Sequence, residues 1–363
     1  MNRSWLFKLR GPLSKVQYLT LGIIGVALFF TLWVVLTSGE TPIVSSGILA
    51  NPFKVLHAYG ELYRDNELIK NMFYSIGLNL AGYVKAIILS IIFGFLIGLV
   101  PLFRGLFQGI VEAVRFVPLT AVTGLFIVWF GIQTGMKVNF LAFGILIYLL
   151  PVVVQRIDEV KDVYLKTVYT LGANDWQTIY TVYIPSVFSR IIDDIRILTA
   201  ISWTYIIVAE MVASQGGIGA LIFSAGRRQG RVDKTFALLI LIIMIGILQD
   251  KVFKWLDKEF FPHKYQVKNK YGPAQDQDTI SDSIFSFATT TFVWILIGLY
   301  ALFMINEFIP VLGDIKILSF LFKDTLWAVH FLFMVVLAYK GYHMYARYRD
   351  KEITPAKIVV KND

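Results

Sequence analysis

The chain has 363 residues, of which 56% are hydrophobic and 16% are charged, and its formal net charge is +9. Soluble domains carry about a quarter charged residues, so this composition excludes an ordinary soluble domain and predicts a membrane protein. The sequence has no cysteine, which excludes disulfides, thiol catalysis and cysteine-bound metals. Basic residues collect in the cytoplasmic loops of membrane proteins, so we expect no nucleic-acid partner.

Long apolar runs predict about eight spanning helices, because a helix needs about 20 mostly apolar residues to cross a bilayer. In chain order they cover roughly residues 18–36, 75–100, 115–130, 138–154, 197–213, 236–250, 284–305 and 318–345. No small-residue cleavage site follows the first run, so we expect a spanning helix there and not a removable signal peptide. In the second run Gly94 and Gly98 form a GxxxG pattern, which predicts close helix packing. The predicted fold class is all-α, a polytopic bundle of transmembrane helices.

Eight crossings would bring both basic tails and the basic segment after the sixth helix to one side of the membrane. The positive-inside rule makes that side the cytoplasm. The exception is the loop between the fifth and sixth helices, in which Arg227, Arg228 and Arg231 fall on the outer side.

The region between the fourth and fifth helices, residues 155–196, is charged but has helical periodicity. Its apolar residues recur at three- and four-residue steps, which is typical of one face of an α-helix. These residues are Ile157, Val160, Tyr164, Val168 and Leu171.

A turn follows that periodic stretch. Gly172 stands where a helix end needs a left-handed residue. Asn174 with Gln177 three residues on predicts a capping box, and Asp175 matches the dipole of the second helix. Pro185 follows soon after, so the sequence predicts a compact, rigid helix–turn–helix on the cytoplasmic side.

The spacing of Gly172, Val182, Ile184 and Pro185 resembles the EAA loop, E-A-A-x3-G-x9-I-x-L-P, of binding-protein-dependent ABC permeases. In that family the loop forms a coupling helix docked on the ATPase subunit. The resemblance implies an ATPase-coupling loop that includes Lys166, Thr167, Val168, Gly172, Ala173, Asn174, Asp175, Val182, Ile184 and Pro185. Lys166-Thr167-Val168 stands where the family has Glu-Ala-Ala, so either the ATPase has changed to match or the coupling is weaker.

Other stretches resemble the nitrate/sulfonate/taurine branch of this family. They are Asn51–Leu56, Thr170–Gln177, Arg115–Pro118, Trp203 with Ala209-Glu210, and Gly217–Gly219. The likeness covers about residues 51–262 and implies a type I importer core of the MetI-like kind. It makes Arg115, Pro118, Trp203 and Glu210 candidates for the translocation path. For Arg115, binding of an anionic substrate and neutralisation by Glu112 remain equal alternatives, and Glu210 could instead pair with the external arginines.

The resemblance implies a permease subunit and not an enzyme. It would carry a small solute, either an anion such as nitrate, a sulfonate, taurine or bicarbonate, or a vitamin precursor. The expected partners are an ABC ATPase dimer, a periplasmic or lipid-anchored binding protein, a second copy of this chain and membrane lipid. ATP and magnesium belong to the ATPase, so we expect no cofactor here. Arg227, Arg228 and Arg231 could contact the binding protein or an anion, or form structural ion pairs.

The expected location is the bacterial inner membrane, with both termini cytoplasmic. The predicted units are residues 1–70 (N-tail, first helix and external loop), 71–262 (permease core), 263–283 (linker), 284–345 (two-helix extension) and 346–363 (basic tail). A channel, or a membrane-embedded scaffold or enzyme without an ATPase, is the alternative, but it would not need the EAA-like loop.

Overall fold

The computed structural model describes residues 11, 13–212, 216–261, 264, 280–309, 313 and 316–353, and these residues form helices and connecting turns without a strand. Three predicted parts of the chain fall partly outside the described residues. They are the unit 1–70, in its first ten residues, the linker 263–283, in most of its length, and the tail 346–363, in its last ten residues. The helices are α1 (Lys15–Thr37), α2 (Pro52–Asp65), α3 (Leu68–Leu99), α4 (Pro101–Val114), α5 (Leu119–Phe130), α6 (Thr134–Asp158), α7 (Asp162–Thr170), α8 (Asp175–Thr178), α9 (Ile184–Val212), α10 (Ile218–Phe223), α11 (Val232–Phe260), α12 (Ile280–Phe308), α13 (Ile317–Phe322) and α14 (Leu326–Ile353).

Seven helical segments of the described chain are long and apolar enough to cross a membrane, and the number is eight if α4 and α5 form one broken span. This agrees with the eight predicted crossings. The α4–α5 pair is bent by 109°. The prediction that one helix starts at Arg115 is wrong, because Arg115 caps the end of α4, which closes at Val114, and α5 begins only at Leu119. Pro118 supplies the reason, since proline disfavours helical geometry at the residue before it.

The fifth predicted span is longer than expected. It runs without interruption from Asp175 to Val212, through α8, a π-helical turn at Ile179–Tyr183, and α9. The short second helix expected before Pro185 is therefore wrong, because Pro185 lies in the first turn of α9. The wider π turn precedes Pro185, whose nitrogen has no hydrogen to donate to a carbonyl in the turn before it.

Helices α3 and α6 pack at the centre of the bundle through glycines. A Cβ atom built at Gly82, Gly94 or Gly98 would lie 2.5–2.6 Å from a side chain of α6, so only glycine allows this approach. The neighbours on α6 are Leu141, Val153 and Ile157. The packing role predicted for Gly94 and Gly98 is confirmed.

The C-terminal helices pack against the rest of the bundle. The predicted eighth span is divided into α13 and α14 by a 3₁₀ turn at Lys323–Thr325, where Lys323 has a φ of +46°. Gly77 on α3 has no room for a Cβ atom because the Thr325 hydroxyl lies against it. In the middle of α14, the Tyr339 hydroxyl donates to the carbonyls of Glu259 and Phe260 at 2.8 and 3.1 Å. The extension is therefore anchored to both α3 and α11.

Candidate functional site: the elbow and the glycine turn

Residues 159–183, which we call the elbow, connect α6 to α9. The reversal of direction occurs at Gly172, whose φ is +81° although nothing lies within 4 Å of a Cβ atom built there. Glycine is needed for this backbone angle and not for space. The predicted capping box is confirmed: the Gln177 N–H donates to Asn174 Oδ1 at 2.8 Å and the Asn174 N–H donates to Gln177 Oε1 at 2.9 Å.

The apolar residues of the elbow do not form the single face that the sequence predicts. Ile157 and Val160 are buried, Val168 is half-buried, and Leu171 is 81% exposed. The reason is that α6 ends at Asp158 and α7 begins at Asp162, so the helical phase is broken between them.

Large side chains are exposed on the elbow. Trp176 is 79% exposed and Tyr180 is 74% exposed, close in sequence to the exposed Leu171. Lys166 and Thr167 are exposed as well. The remaining predicted coupling residues divide into exposed Asn174, Asp175 and Pro185, half-buried Ala173 and Ile184, and buried Val182.

Ion pairs join the elbow to the spanning helices. Arg156 Nε and Nη2 donate to the two carboxylate oxygens of Asp194 on α9, each at 2.8 Å, and Arg156 Nη1 donates to Glu159 at 2.7 Å. Arg190 also donates to Glu159, at 3.2 Å. The Arg156 guanidinium is the main reason that the pKa of Glu159 lies below its ordinary value. The start of the elbow is therefore held to α6 and α9 together.

A cluster of buried polar groups surrounds the end of α9 that is farthest from the elbow. Glu210 is fully buried there, and its carboxylate accepts from the Ser75 hydroxyl at 2.6 Å and from the Gly219 N–H at 2.7 Å. Gly219 belongs to residues 216–219, which we call the glycine turn. Glu210 thus bonds to α3 and to this turn, and not to the arginines near residue 228 as one alternative proposed.

The other path candidates are not gathered around Glu210. Trp203 is buried, and its indole N–H donates to Gln249 Oε1 on α11 at 2.8 Å. Arg115 and Pro118 are exposed at the break between α4 and α5. The guanidinium of Arg115 lies 5.2 Å from the ring centroid of Phe116, and Glu112 accepts from Gln108 at 3.1 Å. The described contacts include no ion pair between Glu112 and Arg115.

The three arginines between α10 and α11 differ in their contacts. Arg231 donates to Glu61 at 2.9 Å and to Asp233 at 2.8 Å, so it is held in a structural network. Hydrogen bonding to Arg231 is the main reason that the pKa of Glu61 is lowered. Arg227 and Arg228 are exposed and lie over the ring of Phe223, and among the described residues neither contacts a carboxylate.

The sequence analysis missed three residues that contact the glycine turn: Asn71 and Ser75 on α3, and Lys137 on α6. Asn71, Ser75 and Asn79 recur every four residues within an apolar helix, and this polar periodicity was the signal that could have found them. Lys137 lies just before the fourth predicted span, 138–154, whereas in the structure it is a fully buried residue of α6. Among the described residues, no group of His, Asp and Glu side chains could hold a metal ion.

Comparisons with known proteins give a family. Residues 86–261 match the model of the "binding-protein-dependent transport system inner membrane component" family. The chain is 26% identical to the taurine transport system permease protein TauC of Escherichia coli over 266 residues, which cover 72% of this chain and 95% of TauC. It is 28% identical to the putative aliphatic sulfonates transport permease protein SsuC of Bacillus subtilis over 241 residues, which cover 66% of this chain and 85% of SsuC.

A third relative has a different kind of solute in its name. The formylaminopyrimidine transport permease protein ThiX of Halalkalibacterium halodurans is 24% identical over 230 residues, which cover 60% of this chain and 89% of ThiX. The matched region contains the elbow, the glycine turn, all of α6 and the C-terminal part of α3. Permeases of such systems work with an ATPase and a substrate-binding protein. The chain therefore belongs to the binding-protein-dependent ABC transporter permeases, as a multi-pass inner-membrane subunit that forms the translocation pathway of an importer.

Proposed function

We propose that the elbow is the docking surface for the ATPase subunit and that two copies of this chain form the pathway for a small organic anion of the sulfonate class. The observation that carries the docking proposal is the exposure of Leu171, Trp176 and Tyr180 on a capped, ion-paired segment. Exposed apolar clusters outside the bilayer mark surfaces that bind another protein.

The connection from the elbow to the membrane supports a role in coupling. Asp175 to Val212 is one continuous helix of 38 residues, which corresponds to a length of about 57 Å. Trp176 lies at one end of this helix and Glu210 lies near the other. A displacement of the elbow by the ATPase would therefore move the far end of α9 without passing through a flexible joint.

The lysine at position 166 is compatible with docking through apolar contact. Lys166 is exposed and lies on α7, whereas the exposed Trp176 lies on α8. The family's glutamate is replaced here, so we expect the partner ATPase to present an acidic or neutral residue to this position.

The anionic substrate class rests on exposed arginines and on the relatives. Arg227 and Arg228 lie between α10 and α11, and Arg115 lies at the α4–α5 break. The names of TauC and SsuC specify taurine and aliphatic sulfonates, and both kinds of solute carry a sulfonate group. Guanidinium groups suit such an oxyanion because they donate paired hydrogen bonds.

Orientation and assembly follow from charge and symmetry. The positive-inside rule favours the elbow and both termini in the cytoplasm. The glycine turn with Arg227 and Arg228 would then lie on the outer side, as the one exception to that rule. A closed two-fold dimer is the commonest arrangement of identical subunits, and it would present two elbows to an ATPase dimer. Membrane lipid would cover the outward-facing apolar side chains of the bundle.

Binding of the ATPase tests the docking surface directly. We expect the variant Trp176→Ala to bind the ATPase at least about tenfold more weakly, because a large aromatic side chain at the centre of an interface is a common hot spot. The matched control is Tyr63→Ala, which removes another exposed aromatic ring, 65% exposed, from α2. Equal retention of the ATPase by both variants after purification in detergent would exclude the elbow as the docking surface.

A further inference from the structure

Each of the four residues of the glycine turn has a backbone group bonded to a side chain of α3, α6 or α9. The bonds are Gly217 N–H to Asn71 Oδ1 (2.7 Å), Ile218 N–H to Ser75 Oγ (2.8 Å), Gly219 N–H to Glu210 Oε2 (2.7 Å) and Lys137 Nζ to the Gly216 carbonyl (3.3 Å). These N–H groups stand at the start of α10, where a helix cannot bond them internally. Three spanning helices thus hold one short turn.

The charges in this cluster are fully buried. Glu210 and Lys137 both have no exposed surface, and each bonds to the backbone of the glycine turn. Charged groups inside a membrane protein are costly unless they are bonded and paired, which favours a functional reason for their presence. The Glu210 carboxyl also leaves no room for a Cβ atom at Gly217, whose φ is +103°. The carboxyl therefore sits directly against the backbone of the turn.

The turn controls where the next segment lies. α10 and the π turn Ser224–Arg228 follow it immediately, and they carry Arg227 and Arg228. Ala225 in the π turn is buried, and its carbonyl accepts from the Arg231 N–H at 2.8 Å. A displacement of the glycine turn would therefore also displace Ala225, Arg227 and Arg228.

We propose that Glu210 is a positioning residue that joins α9 to the glycine turn, so that a displacement of α9 moves the segment carrying Arg227 and Arg228. This inference rests on the proposed function, because it needs the ATPase to displace α9. Glu210 differs from Asn71, Ser75 and Lys137 in belonging to the same continuous helix as the elbow. Removing its negative charge leaves the Gly219 N–H without an anionic acceptor and Lys137 without its counter-charge.

The absence of cysteine in the chain allows a single reactive thiol to be introduced. Ala225→Cys places that thiol in the π turn, at a buried position. The variant is studied as the assembled transporter, with its ATPase and binding protein, in lipid nanodiscs. We measure its alkylation rate by a water-soluble maleimide, with and without ATP, magnesium and vanadate. When Ala225→Cys is the single substitution, trapping with vanadate should change the alkylation rate by at least about threefold, because the glycine turn and the π turn after it move between conformations.

Adding Glu210→Gln should raise the alkylation rate about tenfold and abolish its dependence on nucleotide, since a hydrogen bond to a charged group is lost. Bound ATPase and its basal hydrolysis should remain, whereas uptake per ATP hydrolysed should fall. The matched control is Glu40→Gln, the same substitution in the exposed loop between α1 and α2. It should leave rate, nucleotide dependence and uptake unchanged.

Two results would overturn the inference. One is that Glu210→Gln and Glu40→Gln give the same alkylation behaviour while the ATPase remains bound. The other is that a thiol at Ala58→Cys, buried in α2, becomes equally reactive in the Glu210→Gln background, which would mean general loosening. Failure of the proposed docking surface can be distinguished from failure of the Glu210 proposal. In the first case the ATPase would bind Trp176→Ala as tightly as it binds the unchanged chain.

Discussion

Arg156 at the end of α6 and Asp194 on α9 form a bidentate ion pair, with both nitrogen–oxygen distances at 2.8 Å. The carboxylate is only 15% exposed, so the pair is partly shielded from water. The two residues are 38 positions apart in sequence and lie on either side of the elbow. This pair holds the two ends of the elbow at a fixed separation.

Breaking this pair should weaken both the fold and the coupling. Asp194→Asn removes the negative charge and should lower the free energy of unfolding by about 1–3 kcal/mol, because a charge-assisted, partly buried hydrogen-bond pair is lost. Uptake should fall more than ATP hydrolysis does. Thermal unfolding in detergent and uptake into proteoliposomes measure the two effects. Lys254→Gln, which breaks an exposed pair with Asp250, is the control and should have little effect. Equal behaviour of the two variants would contradict the role of Asp194.

The elbow should respond to acid through Glu159. Its pKa is lowered in the folded chain by Arg156, so its stabilising contribution is present above the unfolded pKa of about 4.3 and is lost as the pH falls through the folded pKa. The unchanged chain should thus exceed Glu159→Gln in melting temperature at neutral pH, and the difference should shrink below about pH 4. A difference that is constant from pH 7 to pH 3 would show that the ion pair does not carry the effect.

The turn at Gly172 needs a left-handed backbone. Gly172→Val should insert into the membrane and bind lipid as before, but its elbow should be strained by roughly 1–2 kcal/mol, because a β-branched residue avoids this conformation. We expect ATP hydrolysis to persist while uptake falls. Asparagine adopts positive φ more readily, so Gly172→Asn should retain most of the uptake. If valine and asparagine give the same uptake as glycine, the shape of this turn is irrelevant to transport.

Arg227 and Arg228 should promote uptake through their positive charge. Replacing both Arg227 and Arg228 by glutamine should lower uptake, with a larger loss at low ionic strength, since screening already weakens their attraction at high salt. Arg64→Gln is the control, because Arg64 is exposed on α2 and, among the residues that the structure describes, donates to the Gly60 carbonyl of its own helix. Arg231 is unsuitable as a control because it holds Glu61 and Asp233. Uptake that is unchanged at every salt concentration would leave the two arginines without a transport role.

The sequence by itself determined the presence of seven or eight apolar spans, the caps of the elbow and the packing glycines. Apolar run length, the Asn174 capping box and the Gly94/Gly98 spacing depend on short-range rules that a single chain segment must obey. The same local information was insufficient at Arg115 and at Pro185. Whether a helix stops at a proline depends on how the neighbouring turn is wound, and the π turn at Ile179–Tyr183 allows the helix to continue.

Only the tertiary structure decided the partners of the buried charges. Glu210 could be recognised as unusual from its place in an apolar run, but its bonds to Ser75 and Gly219 depend on how α3, α9 and α10 meet. Lys137 is fully buried, and its ammonium group bonds to the Gly216 carbonyl, 79 positions away in the chain. A periodic pattern can show that a polar side chain lies on a helix face, but it does not identify the residue on another segment that the side chain contacts, so these pairings required the fold.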